Sequence, residues 1–209
     1  MSRKVLLVLA LAAVVLVLLW GLQRNMRLRQ YHVDRAALSG WTVVLGAPED
    51  PWVVALEPPA SLTTSLLAQV KTNADRRFVA PRHAALPLVM RQEHDEALQG
   101  VYGPADIERI ARQTIAGEST FEPVCIGHRV DPHGAASGEL YFLAFTSPAF
   151  NTLRLELRPD FPEHAGIGVY DAGALTPALP IATTGADFGR WFPIRLERIA
   201  DCQADVTVE

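Results

Sequence analysis

Ser147–Leu157, SPAFNTLRLEL, is the stretch on which the reading of the fold turns. Ser147 followed by Pro148 makes a helix start, because a serine hydroxyl takes up an orphan amide and proline at the first position has no amide to leave unpaired. Phe150, Leu153 and Leu157 then share one helical face, whereas Leu153, Leu155 and Leu157 alternate as they would along a strand. The start signal decides for a helix over 148–158.

Working outward, the segment before it reads as a hairpin of Phe121–Val130 and Leu140–Phe145, joined across Asp131–Ser137. The second of these strands is apolar on both faces, which predicts a place inside a sheet covered on each side. Before the hairpin lies the strongest helix signal, 104–116. Pro104 suits the first position, Asp106 and Glu108 favour the positive end of the helix dipole, and Gly117 follows the last turn. Ile107, Ile110, Ala111 and Ile115 share its apolar face. Pro87–Met90 reads as a strand, and Phe78–Leu86, broken by proline, as irregular chain.

Upstream, Trp41–Leu45 and Trp52–Leu56 flank GAPEDP at 46–51 and predict a strand pair around a loop. Ser61 is placed to cap a helix carrying Leu62, Leu66, Leu67 and Val70 and ending near Asn73. Downstream of Pro159 the chain is rich in Pro, Gly and Ala, with short strand candidates at Ile167–Tyr170 and Trp191–Leu196. The whole is an α+β domain. Its order from Leu86, strand, helix, strand, strand, helix, strand, is that of a ferredoxin-like βαββαβ unit over 86–182, with the strand pair and helix added in front. So many activities share that architecture that it carries no functional weight.

The chain begins differently. Val5–Leu22, VLLVLALAAVVLVLLWGL, is apolar without a break. An 18-residue helix covers about 27 Å at 1.5 Å per residue, close to the roughly 30 Å hydrocarbon core of a bilayer. A buried core helix would be shorter and carry a polar face. A cleaved signal peptide would have a shorter core and end in small-x-small, whereas this run ends Trp20, Gly21, Leu22, Gln23. We therefore expect a cytoplasmic tail at 1–4, an uncleaved single transmembrane helix at 5–22, a juxtamembrane stalk at 23–40, and an extracytoplasmic α+β domain at 41–209. The expected setting is the bacterial inner membrane with the domain in the periplasm. Basic residues flank both sides, Arg3 and Lys4 before the run and Arg24, Arg27 and Arg29 after it, so translocation of the large C-terminal part decides the orientation. Continued as a helix, the stalk would align Leu22, Met26 and Val33 and could pair two copies of the chain; its arginines would otherwise face anionic headgroups.

Setting aside the five basic residues at 3, 4, 24, 27 and 29 leaves 14 Lys and Arg against all 23 Asp and Glu, a formal charge of −9. That balance argues against a nucleic-acid partner. The bilayer and another membrane or envelope protein are the expected partners. Two cysteines, Cys125 and Cys202, are the number that pairs outside the cytoplasm.

Two clusters invite a chemical reading. Cys125, His128, Asp131 and His133 bring metal-ligand types together, but residues three apart on a strand point to opposite faces, so Cys125 and His128 cannot share an ion. His128 instead falls with Val124, Ile126 and Val130, as a half-buried histidine with one hydrogen-bond partner. Glu93, His94, Asp95 and Glu96 lack the two histidines four apart that a zinc-protease helix needs, and read as a solvated charge cluster. No nucleophile elbow or phosphate-binding glycine loop is present. No catalytic residue, metal or cofactor is expected; His94, Glu96, His128 and His133 are the remaining ligand-site candidates. The expected function is contact or assembly at the membrane. The alternative is a small-molecule-binding or hydrolytic domain.

Overall fold

A computed structural model describes residues 30–74, 77–82, 84–115, 121–130, 138–157, 177–184 and 202–209. Two sheets divide the strands among them. The larger has the order β1–β8–β5–β6–β7, built from β1 (Tyr31–Val33), β5 (Glu122–Val130), β6 (Glu139–Thr146), β7 (Ala178–Thr183) and β8 (Cys202–Val208). The smaller is β2 (Thr42–Leu45), β3 (Trp52–Glu57) and β4 (Leu86–Met90), in that order. Four helices accompany them: α1 (Ala60–Asn73), the single turn α2 (Arg91–Glu93), α3 (Pro104–Ile115) and α4 (Pro148–Glu156). The protein is α+β, as expected.

The decisive stretch is helical. Ser147 accepts a hydrogen bond from the amide of Phe150 at 3.1 Å, Pro148 follows it, and Phe150 and Leu153 are buried. Leu155, the residue that only the strand reading would have used, is 59 % exposed. The expected hairpin is present with β6 inside the sheet, and β2 and β3 pair antiparallel around the 46–51 loop. Helix α1 starts one residue before Ser61, with Pro59 at the cap position and no side-chain cap; Ser61 is exposed in the first turn.

Strand, helix, strand, strand and helix follow one another from Leu86 to Glu156. The expected last strand, 167–170, lies outside the described residues, and β7 at Ala178–Thr183 was not expected. The topology is not ferredoxin-like. In that topology the first strand would lie inside the sheet of the other three. Here β4 pairs with β3 in the smaller sheet, and β5, β6 and β7 run as antiparallel neighbours with α4 crossing between the last two. The register of β3 offers β4 a second apolar strand, with Val53, Val54, Ala55 and Leu56 all buried, and β4 takes that place.

The stalk is corrected as well. Tyr31–Val33 is a strand paired in parallel with Val206–Val208, and Arg35–Leu38 is a 3-10 turn capped by Asp34. Val33, 1 % exposed, sits in the core and offers nothing to a dimer seam. The compact unit thus starts at Tyr31, not residue 41. Among the described residues no helix is long and apolar enough to cross a membrane; Val5–Leu22 lies outside them, as do the strand candidates 167–170 and 191–196.

Both sheets and helices α1, α3 and α4 contribute to one buried cluster, which includes Leu56, Leu66, Leu88, Ile107, Leu143 and Leu153. Trp41 extends it, stacked on Phe121 at 5.6 Å and edge-on to Phe145 at 5.5 Å, with its indole N–H donated to the Leu38 carbonyl. On the opposite face of the larger sheet Cys125, Leu140, Phe142, Ala144 and Ala178 form a second cluster. There the far end of the Phe142 ring meets Gly127, where any Cβ would collide with it.

Candidate functional site

Cys125 and Cys202 are bridged, with Cα atoms 5.6 Å apart. The bridge joins neighbouring strands β5 and β8 on the sheet face away from the main core. Cys125 pairs across to Ala144 and His128 to Tyr141, and the two residues lie on opposite faces as their spacing requires. The metal reading therefore fails on geometry at its first two ligands. Asp131 and His133 lie outside the described residues.

His128 faces inward. Its Nε2 is 3.1 Å from Glu139 Oε2, and its ring stacks on Tyr141 at 4.4 Å with an interplanar angle of 23°. Glu139 is buried, and its backbone is fixed from the next strand by Thr184. Tyr141 in turn meets Phe78 edge-on. Near it Tyr31 is buried, and its phenol is pushed above the ordinary tyrosine range by that burial; a hydrogen bond with the Asn73 side chain acts the other way, and the Tyr141 phenol adds to the rise.

The second cluster is half buried, which corrects its reading as a solvated run. Turn α2 passes into a single π-helical turn at His94–Leu98 that rotates Glu93 and His94 inward and leaves Asp95 and Glu96 exposed. Glu93 meets Arg154 of α4 in a fork, Nη2 to Oε1 at 2.6 Å and Nη1 to Oε2 at 3.0 Å, and both side chains are buried. His94 places Nδ1 2.9 Å from Asp95 Oδ1 and Nε2 3.2 Å from the Tyr102 carbonyl. Both ring nitrogens thus face acceptors of the protein itself, so neither is open to a ligand. Glu96 accepts from Gln92. His94 and Glu96 bond Asp95, Tyr102 and Gln92, whereas His128 meets Glu139 and Tyr141. Among the described residues no three metal-binding side chains converge.

Sequence reasoning missed Arg154 altogether. An arginine at the middle of an apolar helical stripe, between Leu153 and Leu157, was the available signal that a buried acid waits elsewhere in the chain.

Every outer strand has backbone groups occupied by something other than a strand of its own sheet. On β1 the amide and carbonyl of His32 both bond the Gln69 side-chain amide, at 2.8 Å each. On β7 Thr183 exchanges two bonds with Val79, and Pro180 has no amide to offer. On β2 the Val43 carbonyl accepts from Arg112, itself held by Glu108. On β4 the Leu88 carbonyl accepts from Arg154 and the Met90 amide donates to Glu93. Such plugs hinder the addition of a foreign strand.

Comparison of the chain with protein-family models, with curated proteins and with solved structures finds no match.

Proposed function

We propose that residues 5–22 hold the chain in a membrane and that the domain beginning at Tyr31 works outside the cytoplasm by contact with another membrane or envelope protein. The observation that carries the compartment is the Cys125–Cys202 bridge, because disulfides persist where the surroundings are oxidising. The contact reading is supported by the use to which polar groups are put. Glu93 and Arg154 are consumed by bonds to one another and to β4, His94 by Asp95 and the Tyr102 carbonyl, and the plugged outer strands leave side-chain surfaces as the means of association.

One observation favours a second reading. His128 is oriented by a buried carboxylate, the arrangement that poises an imidazole as a base. The test replaces His94, Glu96 and His128 singly with alanine in the native host, beside a chain lacking residues 1–30. Under the contact reading the single variants keep function at unchanged abundance and the untethered chain loses it. Loss in His128→Ala with full function of the untethered chain would favour a ligand-binding or hydrolytic domain instead.

A further inference from the structure

One end of the larger sheet brings two exposed valines together with two exposed cations. It is the end where β5 finishes, β6 begins and β7 finishes, as the pairs Val130 with Glu139 and Leu140 with Thr183 define. Val130 is 50 % exposed there, and Val79, bonded to Thr183, is 46 % exposed. The last turn of α1 reaches the same end, since Asn73 meets Tyr31 at the start of β1; it carries Lys71, and Arg77 follows two residues before Val79. Both cations are exposed. The acid on this end among the described residues, Glu139, is turned inward against His128.

The direction of β1 links this end to the N-terminal segment. Strand β1 runs parallel to β8, and β8 antiparallel to β5, so β1 sets out from the side on which β5 finishes. The chain before it is short. Eight residues, 23–30, separate Leu22 from Tyr31, a reach of at most roughly 28 Å fully extended. Three of them are Arg24, Arg27 and Arg29.

We infer that this end of the sheet rests on the bilayer surface, with Val79 and Val130 in the headgroup layer and Lys71 and Arg77 against anionic headgroups. The inference rests on the membrane-anchored reading above. Charge gives the orientation. The chain beyond residue 30 carries a formal −9, so an anionic surface repels most of the domain and is met most favourably by the end where, among the described residues, the exposed charges Lys71 and Arg77 are cationic. Exposed valines beside cations suit an interface in which acyl chains lie just beneath phosphate. The tether keeps the end within reach, so a weak contact is enough to orient the domain.

The test uses the full chain, reconstituted in vesicles of phosphatidylcholine with about a third phosphatidylglycerol, and a bimane label at Val130→Cys, at Val79→Cys or, at the far end of β8, at Thr207→Cys. Spin-labelled headgroups should quench positions 130 and 79 at least twofold more than position 207. Lys71→Glu with Arg77→Glu, or vesicles of phosphatidylcholine alone, should bring 130 and 79 down to the level of 207. Equal quenching at all three positions, in protein that floats with the vesicles through alkaline carbonate and has kept the native bridge, overturns the docking while leaving the anchor standing. Protein that fails to float overturns the anchor and the docking together.

Discussion

The two sheets solve the same problem with different chemistry. The outer strands of the five-stranded sheet are closed by neutral groups, the Gln69 amide on β1 and the Val79 backbone on β7. Those of the three-stranded sheet are closed by ions, Arg112 on β2 and the Glu93–Arg154 fork on β4. For β4 the difference follows burial. His32 and Val79 lie at the surface, where an open backbone group could bond water, so a neutral plug mainly prevents unwanted pairing. The free side of β4 is buried, where an unmet carbonyl or amide costs its full desolvation, and a charged donor and acceptor that also satisfy one another fit that need.

The largest effect should come from breaking the ionic plug. Arg154→Leu or Glu93→Leu alone strands a buried charge and should cost about 3–5 kcal/mol in denaturant unfolding, whereas replacing both together should recover most of it. A double variant as unstable as either single one would show that the bonds to Leu88 and Met90, rather than the pairing of charges, hold β4.

Next is the bridge, which closes a separation of 77 residues and joins β8 to β5. Replacing both cysteines with alanine should lower stability by about 2–5 kcal/mol. Strand β1 pairs with β8, so hydrogen exchange should quicken at Tyr31–Val33 as well as at Cys202–Val208. Unchanged exchange at Tyr31–Val33 would mean that Gln69 alone holds β1.

Gln69→Ala should cost about 1–2 kcal/mol, for two backbone bonds at an exposed site. Its clearer signature should be concentration-dependent association through the uncovered edge, read by light scattering. A variant that loses stability yet stays monomeric would show that the plug serves stability alone.

The smallest effect concerns Tyr31. Its phenol is raised by burial, so the folded state holds the proton more tightly than the unfolded chain does. The contribution is therefore complete below about pH 10, the unfolded value, and is lost as pH rises through the folded one. Tyr31→Phe should flatten the stability profile above about pH 10 and change little at pH 7. An unaltered alkaline limb would place the titrating group elsewhere.

What the sequence made legible was local. Ser147–Pro148 and Pro104 mark their helices with start signals, and GAPEDP at 46–51 punctuates β2 and β3. What it hid was pairing. Nothing in the composition of Leu86–Met90 tells whether it joins β3 or β7, because both choices bury the same side chains. Tyr31–Val33 is three residues long, beside a basic run that also fits a helical stripe, and becomes a strand only because β8 lies next to it. Strand β8 itself carries an alternating signal at Ala204, Val206 and Val208, short and interleaved with polar residues. At the candidate site, His128 could be placed by alternation along β5. Glu93 could not, because its partner lies 61 residues away on another helix.

The measurement that bears most directly on an anchored, exported and bridged domain is thiol labelling in intact spheroplasts carrying the full chain. A membrane-impermeant maleimide should label neither cysteine at first. After treatment with an impermeant reductant it should label Cys125 and Cys202 without permeabilisation. Labelling of either cysteine only once the membrane has been opened would put the domain in the cytoplasm and contradict the account.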